Sequence, residues 1–286
     1  GARPDRGDRP ARPVGARQEG IRPRRTDDDD RPRHDDPVIP EEITGRELDK
    51  SARFELKTLS KENADRVAQH LVMAGSLIEE DAALAHRHAE AAARRAGRVA
   101  IVRETLAITA YATGDYALAL RELRTYRRLS GSNEQLPLMV DCERGLGRPE
   151  KGLELGRSVD RSSLSVGTRV ELAIAMSGAR LDLGQAELAL TELEIPQLDP
   201  GTAYSFSPAL FDSYAVVLAE LGRTEEADVW ARRADVAAEA IAEAEGEFDD
   251  IVEIIEEELA ADGSPVDDAP DDAPAEEAGE GDTDAR

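Results

Sequence analysis

Four glycines, Gly114, Gly147, Gly184 and Gly222, follow one another at intervals of 33, 37 and 38 residues, and each sits in a similar setting. Leu106 to Leu123 contains Tyr111-Ala112-Thr113-Gly114-Asp115-Tyr116, then Ala119, Leu120 and Leu123. The skeleton returns as Gly145-Leu146-Gly147-Arg148-Pro149 with Leu153, as Leu181-Asp182-Leu183-Gly184-Gln185 with Ala189, Leu190 and Leu193, and as Glu220-Leu221-Gly222-Arg223 with Ala227 and Trp230. A glycine just past one helix, followed by a second helix with a small residue at its contact, describes a helical hairpin. One hairpin cannot bury its own apolar faces, so the units must stack.

The rest of the middle region carries the same period. Leu48, Ala52, Leu56 and Leu59 fall on one helical face, and Val67, Leu71 and Ala74 continue the pattern after Ser60, a suitable N-cap. Thr44 and Glu47 have the spacing of a capping box, which predicts a lead helix starting near Thr44. No stretch shows sustained alternation of β-branched residues. The expected fold class is all-α.

On these residues the chain resembles the tetratricopeptide repeat family over roughly 62–242. Gly114, Tyr116 and Ala119 fit the family's turn glycine, following aromatic and small position, as do Gly222, Ala227, Ala231 and Ala234; at Gly147 and Gly184 the aromatic is replaced by Pro149 and Ala186. An earlier, degenerate unit is expected at Val67–Ala93, with Gly75 in place of the turn glycine and Ala85 and Ala89 at the close contact. The longer intervals imply lengthened loops, one of them Ile195 to Gly201. The resemblance implies a right-handed α-α superhelix, a solenoid of about five hairpins preceded by the lead helix. The whole is also similar to an uncharacterised actinobacterial group of such repeat proteins.

Composition then divides the chain. The formal charge is −25, but residues 1–37 hold ten Arg and nine acids, while residues 243–286 hold one base and 19 acids. With six prolines and the Asp27 to Asp30 run, residues 1–37 read as a disordered arm. Residues 38–242 are the repeat domain, 243–261 an acidic amphipathic helix, and 262–286 a disordered acidic tail. Cys142 stands alone, which excludes an internal disulfide framework and a cysteine-based zinc site and suits a cytoplasmic setting. No run approaches the roughly 20 apolar residues that span a bilayer, and the start, Gly1-Ala2-Arg3-Pro4-Asp5, has no signal-peptide core, though the chain does not begin with Met. No membrane association is expected.

Nothing in the residues points to catalysis or to a cofactor. There is no Gly-rich phosphate loop, no nucleophile elbow and no helical His pair at metal spacing. His34 lies in the arm, and His70, His86 and His88 read as ordinary surface residues, the last two on different faces of one helix. Cys142 reads as a small apolar helix residue with Arg144 as the only cation close by. The chain is therefore expected not to be an enzyme, to use no metal and to take no small-molecule substrate.

Three surfaces remain as binding candidates. In the tetratricopeptide family the concave face is lined by the first helix of each hairpin and holds peptides. By that resemblance the inward residues here are Glu104, Ile108, Tyr111, Asp141, Arg144, Glu171, Ile174, Asp212 and Val216. The Lys and Asn clamp that some members use for a C-terminal carboxylate is missing from these positions. Apolar residues interleaved with carboxylates suit a protein partner, of unknown identity, that offers a basic and apolar segment. The acidic tail would tune access to it. The alternative reading is a nucleic-acid or ribosome-associated factor using Arg121, Arg124 and Arg128, an exposed stripe within a segment of nine Arg and four acids. It is opposed by the overall negative charge, which repels a polyanion. Lastly, Phe248, Ile251, Ile254, Ile255 and Leu259 form an apolar stripe that either caps the array or docks on a partner.

Overall fold

A computed structural model describes residues 36–261, with side chains as far as residue 244. Among the described residues there are eleven α-helices and no strand: α1 Lys50–Glu55, α2 Lys61–Leu77, α3 Ala82–Ala96, α4 Ala100–Ala112, α5 Tyr116–Ser130, α6 Leu136–Gly145, α7 Pro149–Gly156, α8 Val166–Asp182, α9 Ala186–Leu193, α10 Ser207–Glu220 and α11 Thr224–Ala261. The helical part belongs to a unit that begins at Pro37. The arm at residues 1–35 and the tail at 262–286 lie outside the described residues.

After α1 the helices pair in sequence order. α2 packs on α3, α4 on α5, α6 on α7, α8 on α9 and α10 on α11. The second helix of each pair then packs on the first helix of the next, as α3 on α4, α5 on α6, α7 on α8 and α9 on α10. The core accordingly runs as successive clusters that straddle neighbouring pairs. Leu120 and Leu123 of α5 meet Met139 and Cys142 of α6, and Leu153 of α7 meets Leu172 and Met176 of α8. Each such leucine, removed from water, contributes about 1.5–3 kcal/mol.

The four spaced glycines make one turn four times. Gly114, Gly147, Gly184 and Gly222 all have φ between 67 and 79°, which a side chain would oppose. Gly114 N donates to Tyr111 O and Asp115 N to Ala110 O, both at 2.9 Å, the paired bonds that satisfy the last carbonyls of a helix. The same two bonds recur at Gly147, Gly184 and Gly222. Asp115 also caps α5 by accepting from Leu118 N at 2.9 Å.

Two local expectations need correction. Gly75 is not a turn glycine: it lies inside α2, and the α2–α3 turn falls at residues 78–81, where Asp81 accepts from Leu84 N and starts α3. The small residues Ala85 and Ala89 are fully buried. No helix starts at Thr44 either. Glu47 does accept from Thr44 N at 3.2 Å, but the segment stays a turn and α1 begins only at Lys50, capped by Asp49. The reciprocal bond closes a turn without propagating, because Gly45 follows Thr44 at φ 80°, outside the right-handed helical region.

The array ends on an aromatic cluster. Trp230 of α11 sits edge-on to Phe211 and Tyr214 of α10, at 5.3 and 5.0 Å between ring centroids, and Arg233 lies 4.5 Å above the indole. α11 then continues unbroken to Ala261. The stripe Phe248, Ile251, Ile254, Ile255 and Leu259 belongs to that helix, and its side chains fall outside the described residues.

Candidate functional site

The first helices of the pairs lie side by side, α2 against α4, α6 against α8 and α8 against α10. The nine lining candidates sit on α4, α6, α8 and α10, and none of them is buried: Glu171, Asp212 and Val216 are exposed and the other six half-buried. Three of the nine come together. Tyr111, Asp141 and Arg144 line an open hollow of about 290 Å³ with Tyr116, Gly145 and Asp182.

Arg144 organises this hollow. Its Nη1 lies 2.8 Å from Asp141 Oδ1, while Nε and Nη2 hold Asp182 at 2.8 and 3.3 Å, a two-pronged grip across the α6–α8 contact. The guanidinium rests on Gly178, where any Cβ would collide with it. Tyr116 similarly lies flat on Gly145 and meets Tyr111 edge-on, with ring centroids 5.5 Å apart. Burial, and then the Asp141 carboxylate, push the Tyr111 hydroxyl above its ordinary range, so it stays a neutral donor. With one cation and two carboxylates the hollow carries a surplus of negative charge.

Toward the N-terminal ends of α6 and α8 the lining is again acidic. Glu104 accepts from Gln135 Nε2 at 2.8 Å, and burial raises its carboxyl above the usual range. Glu134 accepts from the hydroxyls of Ser165 and Thr168, which hold its carboxyl low. Ile174 packs beside the core of the last two pairs, and Asp212 and Val216 stand in solvent on α10. Sequence reasoning missed Asp182, Gln135 and Glu134. Asp182 carried no repeat signal, because it stands two residues before Gly184 whereas Arg144 stands three before Gly147.

The basic stripe is exposed, as expected, but two of its members are engaged. Arg121 pairs with Glu122 at 2.9 Å and Arg124 with Glu143 at 3.1 Å, and both carboxylates are at least 95% buried. Arg103 also grips Glu122 at 2.6 Å and Arg148 grips Glu143 at 2.8 Å. Glu192, half-buried, repeats the theme eight residues past Gly184 as Glu122 is eight past Gly114, with Arg157, Arg161 and Arg180 around it. Much of the arginine in this region thus serves buried and half-buried glutamates within the fold.

The surface reading of the histidines is overturned for two of them. His70 and His88 are fully buried and face each other between α2 and α3, 18 residues apart in sequence. The i, i+2 spacing does part the faces, since His86 points the other way and meets Thr109 Oγ1 at 3.0 Å. Burial, with Arg87 and Arg66 adding to it, holds His88 below its ordinary pKa and therefore neutral. Cys142 is fully buried, and burial together with Asp141 and Glu143 pushes its thiol up to about 12. Arg144 turns to Asp141 and Asp182 instead, so nothing on this side favours a thiolate.

Among the described residues no cluster of three or more His, Cys, Asp or Glu is placed to hold a metal ion, and no helix is long and apolar enough to cross a membrane. No protein-family model matches the chain, and no curated protein matches it.

Proposed function

We propose that the chain is a tetratricopeptide-like solenoid acting as a non-catalytic scaffold, and that it takes a partner segment carrying basic and apolar side chains. The observation that carries this reading is the charge state of the accessible row on α4, α6, α8 and α10. Four of its nine residues are acids, Glu104, Asp141, Glu171 and Asp212, and its one cation, Arg144, is already held by Asp141 and Asp182. Ile108, Tyr111, Ile174 and Val216 stand between the acids as apolar contacts. Such a row recognises an extended or helical peptide through its Arg or Lys and an apolar anchor. The recurring glycine turns and the packing of each second helix on the next first helix support the tetratricopeptide-like arrangement.

The test is direct binding of labelled peptides in which Leu alternates with Arg, with Glu, or with Ser. The Arg series is expected to bind, and Glu104→Gln with Glu171→Gln and Asp212→Asn should weaken it about tenfold while unfolding remains unchanged. Equal affinity for the Glu series, or binding indifferent to these three changes, would overturn the reading.

A further inference from the structure

In every pair but the last, the second helix is covered by the first helix of the pair that follows. Among the described residues α11 has no such successor. The face left open is apolar. Val229 and Val236 are 38% and 64% exposed, and with Ala237, Ala240, Phe211 and the loop at Pro200 to Ala203 they bound a groove of about 440 Å³. Arg232 and Arg233 flank it. An uncovered solenoid end is a site where another helix gains the burial the last pair lacks.

Register within the repeat tells which chemistry that helix should bring. Arg232 stands ten residues past Gly222, as Arg124 stands ten past Gly114. Arg124 reaches Glu143 on the helix that follows, whereas Arg232 meets no carboxylate in an ion pair among the described residues. The occupant should therefore offer an apolar stripe with acids beside it. The chain contains such a segment. Residues 243–261 hold nine acids, no base, and apolar residues recurring at helical spacing from Phe248 to Leu259.

That segment cannot reach the groove of its own chain. α11 is one unbroken helix from Thr224 to Ala261, so Phe248 lies about 18 Å and Leu259 about 35 Å beyond Val236 on the same axis, at 1.5 Å per residue. We propose that the groove receives residues 248–259 of a second copy of this chain, each copy donating its helix to the other. The exchange is isologous and sets the two α11 helices antiparallel. Charge selects that orientation: it lays each acidic segment along the partner's Arg232 and Arg233, whereas a parallel pair would lay acid against acid.

Light scattering on the full-length chain across a dilution series tests this, with twice the 31.0 kDa chain mass expected at micromolar concentration. Val236→Glu and, separately, Phe248→Glu should each weaken the dimer about tenfold or more, with unchanged thermal unfolding of the array. Arg232→Glu with Arg233→Glu should also weaken it, and adding Glu253→Lys, Glu256→Lys and Glu257→Lys in the same chain should restore it. A monomer at all concentrations overturns the proposal, and so does a dimer lost with Phe248→Glu but kept with Val236→Glu, which would place the contact between two tails and leave the groove empty. Failure of the charge exchange to restore the dimer counts against it equally. Peptide binding on the α4–α10 row is read separately and stands or falls on its own variants.

Discussion

His70 and His88 meet in the interior of the α2–α3 pair with their Nδ1 atoms 3.0 Å apart and their rings tilted by 52°. Only one of the two Nδ1 atoms can carry the proton of that bond, so the pair cannot hold a proton on both, and protonating the neutral His88 in place is opposed by its burial.

This gives a pH dependence with a definite sign. The folded pKa of His88 is depressed, so as pH falls below the unfolded value of about 6.5 the unfolded chain takes up the proton first. Stability contributed by keeping His88 neutral is present above about 6.5 and is lost as pH falls from there toward the lower folded value. Denaturant midpoints measured from pH 8 to pH 5 should decline below 6.5 in the wild type, and the decline should flatten in His88→Gln. An equally steep slope in the variant would place the effect elsewhere.

The glycines make opposite predictions by position. Gly114 at φ 79° cannot carry a side chain without strain, so Gly114→Ala should cost about 1–2 kcal/mol. Gly75 is an exposed helix residue with open space where a Cβ would go, so Gly75→Ala should stabilise by about 0.5–1 kcal/mol. Thermal unfolding of the two variants, side by side, should move in opposite directions.

Among the arginine-paired glutamates, the exposure of the carboxylate itself decides the ranking. Glu122 is 4% exposed with Arg103 at 2.6 Å, while Glu192 is 14% exposed with its nearest guanidinium, that of Arg161, at 3.1 Å, so its ion pairs are better screened by water. Glu122→Gln is expected to cost about 1–3 kcal/mol in denaturant midpoints, and Glu192→Gln less.

Cys142 offers a check on the α5–α6 core. With its thiol fully buried and its pKa at about 12, it should resist a thiol reagent at pH 8 in the native chain and react fully once unfolded. Rapid reaction of the native protein would show that α6 opens readily.

The glycine intervals were enough to place four of the five helix pairs, because a left-handed turn residue is a local requirement that the chain states in its own letters. Gly75 misled for the same reason in reverse: a glycine is permitted at a turn, and also tolerated in a helix, and only the carbonyl partners of the following residues separate the two. At the site, Tyr111, Asp141 and Arg144 were legible from their counts before the turn glycines. That Asp182 closes on Arg144 was not, since a two-pronged ion pair depends on how two helices 38 residues apart are set against each other.

The sequence by itself determined the helical class, the repeat spacing and the division of charge between array and tail, all of which follow from periodicity and composition along the chain. Which charges are spent inside the fold was decided only by the tertiary structure. Arg121, Arg124 and Arg144 read as free cations until their distances to Glu122, Glu143 and Asp182 are known, and His70 and His88 as surface residues until α2 and α3 close on them. Burial and pairing are properties of facing surfaces, and no single helix contains both sides of one.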